Sequence, residues 1–167
     1  GWRQFDSVLS DFRQPGWAYS HDGGHTWIFR GSLDPGVFGS DPVLAAGPDG
    51  EFYYFSINFD ESRLFKSVDR GITWPQRTQV VPYLYDKPWM TIDRSQTIGQ
   101  NAIYISSPAR SLLRSIDKGE TFQEVPSDGV VGSTLTTDAS GALLLADGQS
   151  DLIFNLNIYY YLLNLKI

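Results

Sequence analysis

Short apolar runs separated by turn-forming residues set the pattern of this chain, and no segment repeats its apolar positions with the 3.6-residue period of a helix. EFYYFSIN at 51–58, NAIYISSP at 101–108 and ALLLADG at 142–148 are rich in aromatic and aliphatic side chains, as strands are. PVLAAG at 42–47, PWMTID at 88–93 and STLTTD at 133–138 precede them. Turns between the two sets are clearest in PDG at 48–50 and ASG at 139–141. RLFKS at 63–67 and SLLRS at 111–115 then supply a third strand, and a fourth follows a further turn. The pattern predicts an all-β chain of antiparallel hairpins, four short strands to a unit of roughly 45–50 residues.

The turn between the third and fourth strands repeats. SHDGGHTW at 20–27 recurs as SVDRGITW at 67–74 and SIDKGETF at 115–122, so the copies begin 47 and then 48 residues apart. They share S-x-D-x-G-x-T-(W/F). Asp22, Asp69 and Asp117 can accept backbone N–H bonds across a tight turn, and Gly24, Gly71 and Gly119 supply the positive φ it needs. Ser20, Ser67 and Ser115 bond locally, while Thr26, Thr73 and Thr121 open the following strand. Trp27, Trp74 and Phe122 are expected to set a large ring against the neighbouring layer. The two histidines, His21 and His25, fall at variable positions of the first copy only, which argues against a metal site there.

Bulk properties narrow the function. With 41% hydrophobic and 19% charged residues, the 167-residue chain has the composition of a globular protein with one sizeable core. A formal charge of −6 without a basic run argues against nucleic acid as partner, and no apolar run is long enough for a membrane span. Cysteine is absent, so disulfides and thiolate metal sites are excluded. No cofactor and no metal is expected. The chain opens Gly1-Trp2-Arg3 with no initiator Met and no leader, which implies that any targeting segment lies outside it. Its last residues, FNLNIYYYLLNLKI, carry Lys166 as the lone charge and read either as a buried strand or as a stretch foreign to the repeats.

The three boxes, with SDPVLAAGPDG and DKPWMTID, resemble the Asp-box (BNR) repeat proteins of the sialidase-like superfamily, over residues 1–157. The resemblance implies a β-propeller of four-stranded antiparallel blades, with about three to three and a half blades in this chain: 1–33, 41–82, 87–126 and 132–157, followed by an atypical apolar tail at 158–167. Sialidase-like rings have six blades, so the arc implies part of a ring, with open edges that could self-associate. It also implies a secreted or extracytoplasmic protein, and box turns on the side away from the ligand face.

On the opposite face the expected ligand residues are Arg3, Asp6, Arg13, Asp41, Asp60, Arg63, Tyr85, Asp86, Trp89 and Arg110, with Asp11, Glu61, Tyr83 and Lys87 nearby. Arginine can grip a carboxylate bidentately, and tyrosine or tryptophan can stack on a sugar. Blander roles remain open: Asp41 and Asp86 stand before prolines as turn caps do, Trp89 suits channel packing, and Asp60-Glu61 suits a solvated loop. In sialidases the family pattern implies an arginine triad, a Tyr–Glu nucleophile pair and an acid/base Asp. The Arg-Ile-Pro signature is missing from this chain, and no catalytic residue carries over by motif. Two readings follow: a repeat propeller that binds a glycan, glycoconjugate or protein, or an exo-α-sialidase-type hydrolase.

Overall fold

A computed structural model of the chain describes residues 1–5, 9–58, 61–80, 86–107, 111–125, 134–146 and 153–156. Every regular element among them is a strand. The first sheet holds β1 (Trp2–Phe5), β2 (Arg13–Tyr19) and β3 (Ile28–Ser32). The second holds β4 (Ser40–Ala46), β5 (Phe52–Ile57), β6 (Arg63–Ser67) and β7 (Gln76–Gln79). The third holds β8 (Trp89–Ile92), β9 (Ile103–Ser107), β10 (Ser111–Ser115) and β11 (Gln123–Val125). The fourth holds β12 (Thr134–Thr137), β13 (Leu143–Ala146) and β14 (Ile153–Leu156). Each sheet is an antiparallel meander in chain order, and no described helix is long and apolar enough to cross a membrane. The expected strands are all present within a residue or two of their predicted bounds.

Period-two alternation explains why the central runs are so apolar. Tyr53 and Tyr54 are neighbours on β5, point to opposite faces, and are 1% and 0% exposed. Tyr54 joins Trp17, Tyr19 and Phe65 in the layer between the first and second sheets. Tyr53 joins Phe55, Leu64, Ile103, Ile105 and Leu113 between the second and third. Tyr104 and Leu112 meet Leu135, Leu143 and Leu145 between the third and fourth. The four sheets therefore stack face on face, with β4 beside β8 and β8 beside β12. Truncating a side chain such as Leu64, 1% exposed, to alanine would cost about 2–5 kcal/mol.

The box turns form as the sequence pattern predicts. In each copy the serine hydroxyl accepts the glycine amide, at 2.8, 2.9 and 2.9 Å for Gly24, Gly71 and Gly119. In each, one aspartate oxygen accepts the threonine amide and the other the threonine hydroxyl, the latter at 2.6 Å in all three. These donors hold the Asp69 carboxyl at about 2, led by Thr73, and hold Asp22 lower still, led by Thr26. Asp117 is pushed up by burial, but its bonds from Thr121 and Ser115 outweigh this and leave it at about 2. The glycines lie at φ +93, +80 and +86°, and the residue before each is left-handed too: Gly23, Arg70 and Lys118 at 71, 65 and 58°.

One expectation for the boxes needs correction. Trp74 and Phe122 pack on the preceding sheet, Trp74 within 6.1 Å of Trp17 and Phe122 against the Tyr53–Leu64 layer. Trp27 does not: it is 54% exposed and folds back to donate from Nε1 to Gly24 O at 3.0 Å. Among the described residues no sheet precedes the first one, so its ring has no layer to enter. Phe29, 72% exposed, lies on the same uncovered sheet and meets Trp2 in a T-shaped arrangement, ring centroids 5.8 Å apart.

Candidate functional site

Antiparallel connection sorts the loops into two ends. The box turns and the β4–β5, β8–β9 and β12–β13 hairpins lie at one end, and the starts of β4 and β8 lie at the other. At that second end the structure brings together three of the expected ligand residues. Arg3, on β1, donates from Nη2 to Asp41 Oδ1, and the Ser40 hydroxyl donates to the same oxygen at 2.9 Å. The Lys87 amide approaches Asp41 Oδ2 at 3.5 Å, and the carboxyl of Asp86, the residue before it, influences the titration of Asp41. Two of these residues hold unusual backbone: Asp41 at φ 47° and Lys87 at φ 61° are non-glycine residues in the left-handed region.

The two carboxyls titrate apart. Burial raises Asp41, but its hydrogen bonds with Asp86 and Ser40, the Arg3 charge and the Lys87 amide outweigh that and hold it below the ordinary value. Asp86 is raised, first by its bond to Asp41, then by desolvation and the Asp41 charge. Of the two, Asp41 therefore gives up its proton first as pH rises. Such a pair can accept hydroxyl donors and, when protonated, return one hydrogen bond. Trp89, the first residue of β8, is 43% exposed and leaves part of its ring available for stacking.

Among the described residues, the expected arginines Arg3, Arg13 and Arg63 each have separate partners. Arg63 is bonded to Asp34 and Glu61, and Arg77 reaches Asp34 at 3.2 Å. Glu61 is therefore an ion-pair partner and not simply solvated. Arg13 lies over the Phe5 ring, 6.0 Å from its centroid. Asp34 and Arg77 were not singled out by sequence: Asp34 opens a turn, DPG at 34–36, and only the fold brings β6 and β7 beside it. Asp11 is exposed. Asp6, Asp60, Tyr83, Tyr85 and Arg110 lie outside the described residues, as does the tail at 158–167. His21 and His25 are exposed, His21 edge-on to Tyr19 at 5.0 Å.

A second concavity, of about 560 Å³, runs between β8 and β12 and is lined by Thr91, Arg94, Ser95, Thr136, Thr137 and Asp138 among others.

No family model matches the chain, and no curated protein does. Among solved structures it is similar to a protein of unknown function from Dyadobacter fermentans, at 16% identity with a TM-score of 0.43. That likeness covers 77% of this chain and half of the other.

Proposed function

We propose that this chain forms blades of a sialidase-like Asp-box propeller, and that it binds a glycan, glycoconjugate or protein at the end where Arg3, Asp41 and Asp86 meet. The observation that carries the reading is the division of labour between the two ends. Each box aspartate has both oxygens engaged within its own turn. The Asp41–Asp86 pair instead keeps a titratable, partly open carboxyl next to an exposed tryptophan. The stacking of like meanders, first strand beside first strand, favours the propeller arrangement. The family resemblance places such a protein outside the cytoplasm.

Binding is favoured over hydrolysis by the state of the arginines. A substrate carboxylate needs free guanidinium groups, and Arg3 and Arg63 are already occupied by this protein's own acids. A glycan array, backed by a fluorogenic sialoside assay, tests the proposal. The expected result is array binding weakened at least tenfold by Arg3→Ala with Asp86→Asn, and no sialoside turnover above blank. Turnover by the unaltered chain would replace the binding reading with the hydrolase one, and an array without hits would leave a protein partner in place of a glycan.

A further inference from the structure

Two hairpins at the box end carry buried acids, and only one of them is matched by a cation. In the second sheet Glu51 is 6% exposed, and Lys118 reaches it from the third sheet's box, Nζ to Oε1 at 3.2 Å. One repeat later the corresponding hairpin carries Asp93, 1% exposed. Its Oδ1 accepts the Ser95 amide at 2.8 Å, and its backbone is bonded to Ala102 and Asn101. Its Oδ2 is buried without a hydrogen-bond partner, and no ion pair among the described residues includes it. Leaving one oxygen of a buried carboxylate unanswered is costly, so an orphan of this kind calls for an ion or water.

Oxygen atoms converge on the same spot. Ser95 Oγ and Thr97 Oγ1 are 2.7 Å apart. A methyl group built on Gly141, in the first hairpin of the fourth sheet, would stand 2.7 Å from Thr97 Oγ1, 2.9 Å from Ser95 Oγ and 3.0 Å from Asp93 Oδ2. A methyl group on Gly99 would come within 2.6 Å of that Oδ2. Three oxygens therefore lie within about 3 Å of one point beside the Gly141 α-carbon, and a side chain at 99 or 141 would collide with them. Ser95 and Asp138 also line the neighbouring concavity, which gives water a path to any remaining coordination positions.

We propose that Asp93, Ser95 and Thr97 form the core of a site for a hard, oxygen-ligated cation, of which calcium is the fitting kind, and that the ion joins the third sheet's hairpin to that of the fourth. The donor set is all oxygen, which disfavours metals that seek imidazole or thiolate. Its irregular, part-aqueous geometry suits calcium better than magnesium, which demands a near-octahedral shell. The ion does at this interface what Lys118 does at the one before. With a single core carboxylate, affinity belongs to the weak class, about 10⁻⁴–10⁻³ M.

The test is a thermal melt of chelator-stripped whole chain titrated with calcium chloride, alongside isothermal calorimetry. At ten times the dissociation constant the midpoint should rise by roughly 3–6 °C with one ion bound per chain, and magnesium should do markedly less. Asp93→Asn should abolish the rise. If that variant does not fold, Thr97→Val, which removes one oxygen and keeps the shape, should weaken calcium binding several-fold. No calcium-dependent shift or heat in the unaltered protein overturns the proposal, and so does a shift that survives both substitutions.

Discussion

Lys118 Nζ lies 2.7 Å from Asp49 Oδ2, a contact that spans 69 residues of sequence and ties the third sheet's box to the second sheet's first hairpin. The same ammonium serves Glu51, and the two carboxylates, Asp49 first, raise its pKa above the ordinary lysine value. Box turns are therefore braces between sheets as well as closures within them.

Removing that brace should be measurable. Asp49 is half exposed, so its pair with Lys118 contributes little on its own. Glu51 is buried and would lose its cation. Lys118→Met is expected to lower stability by about 1–2 kcal/mol, read from the urea midpoint, with most of the loss recovered when Glu51→Gln is added. Full loss persisting in the double variant would show that Glu51 is not its source.

The boxes make acid stability predictable in sign. Asp69 and Asp117 are held at about 2 in the folded chain, below their ordinary value of 3.8. A depressed carboxyl stabilises the fold fully above its unfolded pKa, and that contribution disappears as pH falls through the folded one. The melting temperature should therefore drop between about pH 4 and pH 2. Asp117→Asn should melt lower at neutral pH and show a shallower drop across that window in pH-resolved calorimetry.

Arg70 occupies at φ 65° the position that Gly23 fills at φ 71° in the first box. Its side chain is exposed, so replacing it removes backbone strain at little cost in packing. Arg70→Gly is expected to stabilise by up to about 1 kcal/mol, raising the melting temperature by roughly 2–4 °C. A lower melting temperature would mean that the added freedom of the unfolded chain outweighs the relief.

The mutual influence of the two carboxyls at the ligand end can be followed directly. Asp86 is raised chiefly by Asp41. In Asp41→Ala its carboxyl should return toward the ordinary value, as read by carbon-detected NMR titration. An unchanged Asp86 titration would dissociate the two carboxyls.

Much of this protein could be read along the chain because its interactions are local. Each box is closed by bonds between residues no more than four apart, such as Ser67 to Gly71 and Asp69 to Thr73. Five repeated positions therefore sufficed to locate the turns, and the dense apolar runs between them located strands that both faces cover. The meeting of Arg3 with Asp41 was partly legible, since Asp41 and Asp86 both stand at entries to the first strands of their sheets.

Other features depend on which sheet lies against which. The same motif leaves Trp74 packed and Trp27 exposed, because among the described residues a sheet precedes the second sheet and none precedes the first. The pairing of Arg63 with Asp34 joins loops 29 residues apart and takes that arginine out of the set available to a ligand. Asp93 stands in the sequence at the end of PWMTID, yet its unpartnered oxygen lies against the glycine of a hairpin 48 residues later. Hydrogen bonds within a turn are determined by its own residues, so the sequence alone determined the turns and strands. Burial and charge compensation depend on what the next layer brings, and only the tertiary structure decided those.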